Sequence, residues 1–458
     1  MNKSYIIIPI YSDPFLHPLH RNNKLSLLYQ RGVDLKQGTL HKGEFIPQIH
    51  PDCTEMLQDY SHLSEKYEGI IVTPDSKLLQ PIFPKFKNVL DINHAHWYLH
   101  NKPMDLEIRN NAVDFLGNKY YNVKKLNEIV PLSKHKEYCD ELSQKMFDWL
   151  HPNINTLIDD ESWFANAGAV DAIQAFYNIE KNGVKVSDDV CDIFDVRVKK
   201  HISEGKLYSK YNLTTTTGRP SNSFGTVNFA ALPPEKRKAI VAENDSLVEF
   251  DFDAYHLRLI ADLVGYDGFF SGESVHRHFA KIYNCEYDEA KQKTFQILYG
   301  GIREEHKKLS PFFSKTYDYI NKKWNEINTH NLVHTDIYRR RILFDNYKDL
   351  NRNKLFNYLI QALETEMNIK KILDIQEYLN GETYDCKKKK TKLVLYGYDS
   401  FLFDFSNEDG VDTLKQIKMI LEDKWNLPTN RVDYEAYFLT KSKMGDTYNS
   451  MKDITKRL

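Results

Sequence analysis

Residues 247–267 read LVEFDFDAYHLRLIADLVGYD, and the fold turns on how this stretch is understood. Leu247, Val248 and Phe250 form a β-favouring apolar run that carries Asp251 and Asp253 to its C-terminal end. From Leu257 onward the apolar residues fall at helical spacing, at Leu257, Ile260, Ala261, Leu263 and Val264. A strand that delivers carboxylates to its tip and passes directly into a helix holds metal-binding oxygens rigidly. An ordinary strand–helix turn with solvated acids has the same pattern, so the reading depends on two further stretches.

The first is YDEAKQKTFQILYGG, residues 287–301. Lys291, Phe295 and Tyr299 are four apart, so one helix face presents a cation, an aromatic ring and a phenol in a column. A core face rarely includes Lys. Such a face beside Gly300 and Gly301 suits a nucleoside triphosphate, with ammonium on phosphate and ring on base. The second is KLVLYGYDSFLFDF, residues 392–405, where two apolar runs flank Gly397, Tyr398, Asp399 and Ser400 as a tight β-hairpin would. Asp399 at that tip can meet Asp251 at its strand end. Two carboxylates from separate strands can hold a pair of Mg²⁺ ions roughly 3.5–4 Å apart for in-line phosphoryl transfer.

The whole chain sets bounds around this core. Its 458 residues exceed what one core usually takes, so two or three subdomains are expected. Lys plus Arg (62) nearly balances Asp plus Glu (64), so net charge announces no polyanionic partner, although a local basic groove would suffice for one. The five cysteines are scattered without paired spacing, which speaks for a reducing compartment and against zinc or a disulfide frame. The apolar run near the N-terminus is too short for a signal peptide and no stretch could span a bilayer. A cytoplasmic location with no membrane partner is therefore expected. Residues 1 to about 130 read as a small α/β unit, with strands at YIIIPI and GIIVT and a helix at VLDINHAHWYLHN. Helices are predicted at KEYCDELSQKMFDWL and AVDAIQAFYNIEKNG, a long helical region up to about Gly381, and a terminal strand at VDYEAYFLT.

Together and in this order, the three stretches resemble motifs A, B and C of family A DNA polymerases, the bacterial DNA polymerase I type. The family's DYSQIELR matches DFDAYHLR, Asp251 to Arg258; its R-x3-K-x3-F-x3-Y-G matches Lys291, Phe295, Tyr299 and Gly300; its V-H-D-E matches Gly397 to Ser400. Upstream, T-x-T-G-R-x-S-S and N-L-Q-N-I-P resemble Thr215 to Asn222 and Thr226 to Pro233. The family's D-I-H matches Ser274 to His276, while T-x-x-G-R-R and N-x3-Q-G resemble Thr335 to Arg340 and Asn357 to Ala362. The resemblance runs from about Ile179 to the C-terminus.

The resemblance implies an α+β right-hand polymerase fold, with a palm, helical fingers and a reduced thumb behind an N-terminal α/β exonuclease-like domain. The implied divisions are 1–135 for that degenerate 3′–5′ exonuclease-like domain, 136–245 for the thumb and start of the palm, 246–265 and 385–458 for the palm, and 266–384 for the fingers. It implies a DNA-directed DNA polymerase that binds primer-template DNA and dNTPs, with two Mg²⁺ ions on Asp251 and Asp399, and a replisome or processivity partner. Lys291 and His276 would contact the triphosphate, Phe295 would stack on the incoming nucleotide, and Tyr299 would sit at the base of its pocket. Arg219, Asn228 and Gln361 would line the primer-template.

The departures bear on function. Tyr287 stands where the family has the motif B Arg, which removes a triphosphate contact unless Lys293 or Arg303 replaces it. Tyr398 and Ser400 stand where motif C has His and Glu, leaving two site acids if Asp253 points away. His256 takes the place of the Glu that excludes ribose; a neutral imidazole can offer a donor or an acceptor to a 2′-hydroxyl, so reduced sugar discrimination is expected. The strand-borne D-x-E of the exonuclease is missing, Pro9 and Tyr11 occupying those positions, and the D-x-E at Asp105 and Glu107 follows no strand. The pared-down thumb and exonuclease point to a phage origin, which would make the location the host cytoplasm. Two rivals remain: a non-catalytic DNA-binding protein on a decayed polymerase frame, favoured by Ser400 and Tyr287, and a ribonucleotide-tolerant polymerase, resting on His256.

Overall fold

The computed structural model describes residues 4–11, 13, 16–46, 69–80, 88–104, 106, 132–159, 168–224, 227–269, 274–382, 387–423 and 438–458. The N-terminal sheet has the order β3-β2-β1-β4-β5, from β1 (Ser4–Tyr11), β2 (Leu25–Asp34), β3 (Thr39–Phe45), β4 (Ile71–Thr73) and β5 (Val89–Asp91). β1 pairs antiparallel with β2 and parallel with β4, which in turn runs parallel to β5. A central strand covered on both faces needs an unbroken apolar run, and Ile6, Ile7 and Ile8 of β1 are buried accordingly. Helix α1 (Ile92–His100) starts directly on Asp91, whose carboxylate accepts from the N–H groups of Asn93 and His94 as an N-cap. The stretch read as one helix at 89–101 is therefore a strand feeding a helix. Asp105 and Glu107 lie outside the described residues.

Helix α2 (Leu132–Asp159) runs beyond the predicted end at Leu150 and through Pro152, because Leu150, Ile154 and Leu157 keep the buried stripe at helical spacing. Together with α3 (Gly168–Asn182) it ties the N-terminal sheet to the rest of the chain. Lys77 Nζ reaches Glu180 Oε1 at 2.5 Å and the Tyr211 carbonyl at 2.6 Å, and the Trp97 indole donates to the Thr215 carbonyl at 2.9 Å.

The second sheet is built around β6 (Ser246–Phe252), which passes through a two-residue turn into α4 (Tyr255–Val264). Helices α5 (Val275–Tyr283), α6 (Tyr287–Gly300), α7 (Pro311–His330) and α8 (Arg352–Asn380) follow. The predicted long helical region is interrupted between α7 and α8 by a hairpin, Leu332–His334 with Arg341–Leu343. Strands β7 (Lys392–Tyr396) and β8 (Ser400–Phe405), helix α9 (Val411–Glu422), and strands β9 (Thr440–Gly445) and β10 (Lys452–Asp453) complete the chain. The sheet order is β7-β8-β6-β9-β10, all antiparallel. Of the terminal strand predicted at 432–440, residues up to 437 lie outside the described ones, and the strand that pairs with β6 begins only at Thr440. No helix among the described residues is long and apolar enough to cross a membrane.

Helix α8 also carries a buried cation. Lys371 is fully buried, donates to the carbonyls of Ile420 (3.1 Å) and Asp423 (2.9 Å), and has its pKa pulled down to about 7 by burial. The unfolded chain keeps this proton up to the ordinary Lys range while the folded chain releases it near neutrality, so the unfolded state binds more protons between them. Stability is expected to rise from pH 7 to pH 9 by at most about 1.4 kcal/mol per pH unit from this group. Denaturant midpoints for the wild type and Lys371→Met across that range test it; equal slopes in both proteins would overturn it.

Candidate active site

The geometry of the site follows from the β6–β8 register. Asp251 pairs with Ser400 on β8 and with Lys441 on β9, and the Phe252 N–H donates to the Asp399 carbonyl at 2.9 Å. The end of β6 and the β7–β8 turn are thereby fixed against each other. The turn is tight: Gly397 N–H donates to the Ser400 carbonyl at 2.8 Å, and Tyr398 takes a left-handed φ of 70°. A non-glycine residue held there costs about 1–3 kcal/mol. Two contacts hold it: Asn368 Nδ2 of α8 donates to the Tyr398 carbonyl at 2.9 Å, and the Arg219 guanidinium lies 3.8 Å over the Tyr398 ring. Asn368 also accepts from the Tyr255 hydroxyl at 2.7 Å and donates to the Tyr396 hydroxyl at 3.0 Å. One buried amide thus joins α4, α8 and the turn that presents Asp399.

A cavity of about 430 Å³ opens in front of this junction. It is lined by Asp251, Asp399, His256, His276, Lys291, Phe295, Tyr299 and Arg219, so eight of the residues singled out in the sequence converge on one space. Phe295 and Tyr299 stack at 5.8 Å, and His276 stands edge-on to Phe295 at 5.6 Å. Neither Asn228 nor Gln361 is among the lining residues. Asn228 instead caps a 3-10 turn through the Ala231 N–H at 3.3 Å.

The acids carry strained charge. Asp251 is pushed up to about 6 by burial, by the neighbouring Asp399 and by Glu249. Asp399 is also raised, by burial and then by Glu364. Asp253 differs: it too lines the cavity, but Lys441 Nζ at 2.8 Å and Arg258 at 3.5 Å hold it, and its pKa is lowered despite burial. It does not point away from the cavity; it is neutralised there. His276 is pulled down to about 4 by burial and by Lys291, and its Nδ1 has no hydrogen-bond partner among the described residues. A neutral imidazole with a buried, unpartnered Nδ1 therefore lines the cavity.

The cations expected to replace the motif B Arg do not reach this space. Lys293 lies 4.6 Å over the Tyr283 ring, and the exposed Arg303 lies 3.8 Å from Glu305. Lys441 lines the cavity instead, as does Tyr287. Sequence reasoning missed Lys441, and nothing around it in TKSKMG marks it out. It also missed Glu364, fully buried on α8 beside Arg219 and His256. Nothing local marks it out: in YLIQALETEMNIKKIL, Glu364 stands with Glu366 among Gln361, Thr365, Asn368 and two lysines.

On the far side of the acid pair lies a second cavity of about 310 Å³, lined by Ser400, Tyr398, Glu249, Arg237 and Lys443 as well as Asp251 and Asp399. The two carboxylates therefore stand between two polar spaces, one of which carries the aromatic column and Lys291.

No protein-family model matches the chain, and no curated protein matches it. Among solved structures the fold is similar to that of the POL domain of Pol1 from M. smegmatis in complex with DNA primer-template and dNTP, with a TM-score of 0.66 at 12% identity. The match covers 98% of this chain and 97% of that one. At this identity the likeness establishes a shared fold and nothing finer.

Proposed function

We propose that the chain is a DNA-directed DNA polymerase that extends a primer 3′-hydroxyl with dNTPs. What carries this reading is the meeting of Asp251, Asp399, Lys291, Phe295, Tyr299 and His276 in one cavity, on a fold shared with a DNA polymerase domain. The sheet around β6 is then the palm, α5 to α8 the fingers, the shortened α2–α3 region the thumb, and the N-terminal unit a degenerate exonuclease-like domain.

The acid pair suits a divalent cation, because each carboxylate is disfavoured as an ion by burial and by a neighbouring acid, Asp399 beside Asp251 and Glu364 near Asp399, and a cation would relieve both. No group of three or more metal-ligating side chains occurs among the described residues, so substrate phosphates and water would complete the coordination. Two Mg²⁺ ions held there would make the primer hydroxyl a better nucleophile and neutralise charge on the departing pyrophosphate. The chain's own groups do the rest. Lys291 receives the triphosphate, with Lys441 and the His276 imidazole lining the same cavity, and Phe295 provides a ring for the base. The second cavity, with Arg237 and Lys443, receives the primer end.

The N-terminal unit is proposed to lack proofreading. β1 reads SYIIIPIY and offers no carboxylate, and Tyr11 donates instead to the Leu78 carbonyl at 2.8 Å. The acids at the ends of β4 and β5 serve structure: Asp75 caps the Lys77 N–H, and Asp91 holds Ser76 and the start of α1.

Primer extension by the full chain with Mg²⁺, run with dNTP and NTP sets, tests the reading. Template-directed extension without metal-dependent shortening of single-stranded DNA is expected. DNA binding without extension would favour the rival non-catalytic reading, which Ser400 and Tyr287 support. Shortening that persists in Asp251→Asn would overturn the proofreading proposal.

A further inference from the structure

His256 is hydrogen-bonded at one ring nitrogen and buried against a carboxylate at the other. Nδ1 is hydrogen-bonded to the Tyr299 hydroxyl, and Nε2 lies 3.2 Å from Glu364 Oε1. Glu364 is 1% exposed and is clasped from its other side by Arg219, whose Nε is 2.8 Å from Oε2 and whose Nη2 donates to Oε1 at 3.3 Å. Tyr299, His256, Glu364 and Arg219 all line the cavity that contains the acid pair.

The donor inventory of these groups orients the chain. Glu364 is a carboxylate held below its ordinary pKa by His256 and Arg219 in spite of its burial, so it only accepts. Guanidinium only donates, so the His256 nitrogen facing Glu364 must carry a proton. Burial drives the Tyr299 phenol up, so it keeps its proton and can give the hydrogen bond to Nδ1. Neither nitrogen of His256 is then open to the cavity: Nδ1 is taken by Tyr299, and Nε2 is buried against Glu364. A 2′-hydroxyl packed against this ring would meet carbon and no free polar atom, and a buried hydroxyl without a partner is costly. Reduced sugar discrimination was expected on the premise of an imidazole free to pair with that hydroxyl. The structure removes the premise.

We infer that Glu364 is the positioning residue that locks His256 as its Nε2–H tautomer and thereby enforces exclusion of ribonucleotides, an inference that rests on the polymerase reading for its sugar but not for the tautomer. The carboxylate absent from motif A has, in effect, moved to α8 and acts through the imidazole.

Two measurements on the full chain separate these parts. With ¹⁵N-labelled histidine, the His256 signals are identified by their loss in His256→Ala, and the wild type is expected to show the Nε2–H tautomer. In Glu364→Gln the Arg219 donors claim the amide oxygen and leave its NH₂ facing Nε2, so the proton is expected on Nδ1. Tyr299→Phe removes the other partner and should leave Nε2–H in place. An unchanged tautomer in Glu364→Gln, or a changed one in Tyr299→Phe, overturns the positioning role whether or not the protein polymerises. The second measurement is the ratio of kcat/KM for dNTP over rNTP. Glu364→Gln should lower it about tenfold, the worth of the one hydrogen bond that the Tyr299 O–H, released once Nδ1 donates to it, can give the ribose. His256→Glu should cripple extension by setting two buried carboxylates together, and Glu364→Gln added to it should restore extension. An unchanged ratio, or no restoration, overturns the sugar role. Absence of any extension by the wild type would instead fell the polymerase reading, and the sugar role with it, while the tautomer result still decides what Glu364 does to His256.

Discussion

Replacing Asp251 or Asp399 with Asn is expected to abolish primer extension while leaving the fold and DNA binding intact. Asn matches Asp in volume and shape, and Asp251 sits in a strand whose hydrogen bonds to β8 and β9 are backbone bonds. What is lost is charge. At neutral pH Asp251, raised only to about 6, is mainly ionised, and on the polymerase reading the Asn variant loses that charge for the cations the pair would hold. The loss of extension should exceed a hundredfold, or about 2.7 kcal/mol of transition-state stabilisation. Thermal stability offers an internal control. Asp399 raises Asp251 by its charge, so neutralising one of the two in metal-free buffer should leave the melting temperature unchanged or higher. Residual activity above about a hundredth in both variants would sink the metal assignment. A large drop in melting temperature would mean that the acids hold the sheet together.

The parts of the fold legible in the sequence were those where one period ran long enough to be read locally. The switch from strand to helix at Asp253–Tyr255 and the hairpin around Asp399 both show in a dozen residues, and both stand in the structure as expected. The hairpin after α7 did not show, because Leu332–His334 and Arg341–Leu343 are three-residue strands whose pairing depends on contacts far away, such as Asn101 Nδ2 to the Arg341 carbonyl at 2.8 Å. The N-terminal β2–β3 hairpin passed unseen for a related reason: β3 reads TLHKGEF, with little apolar alternation, since most of it is exposed. In the site, spacing along α6 gave Lys291, Phe295 and Tyr299 together, because one helix face sets all three. Glu364 and Lys441 come from elements more than a hundred residues away from motif A. Only tertiary packing places them beside His256 and Asp253, and no local pattern encodes such a meeting.

Lys291→Ala is the other large effect expected, and it should fall on nucleotide use. The cavity has two lysines, but they are not equivalent. Lys441 is already committed to Asp253 at 2.8 Å, whereas Lys291 has no carboxylate paired with it among the described residues and stands one helical turn before Phe295. On the polymerase reading it is the cation available to an arriving triphosphate, and Tyr287, which also lines the cavity, brings no positive charge to substitute for it. A charge-assisted contact of this kind is worth about 1.5–3 kcal/mol, which corresponds to roughly a 10- to 150-fold fall in kcat/KM for the dNTP. Lys291 is exposed, so solvent screening places the expected fall toward the lower end of that range. Lys291→Arg keeps the charge and should recover most of the loss, whereas Lys441→Ala should do less harm to dNTP use than Lys291→Ala. Single-turnover titrations with each dNTP distinguish these outcomes. If Lys291→Ala leaves both the apparent affinity and the maximal rate unchanged, the aromatic column of α6 is packing and the triphosphate binds elsewhere.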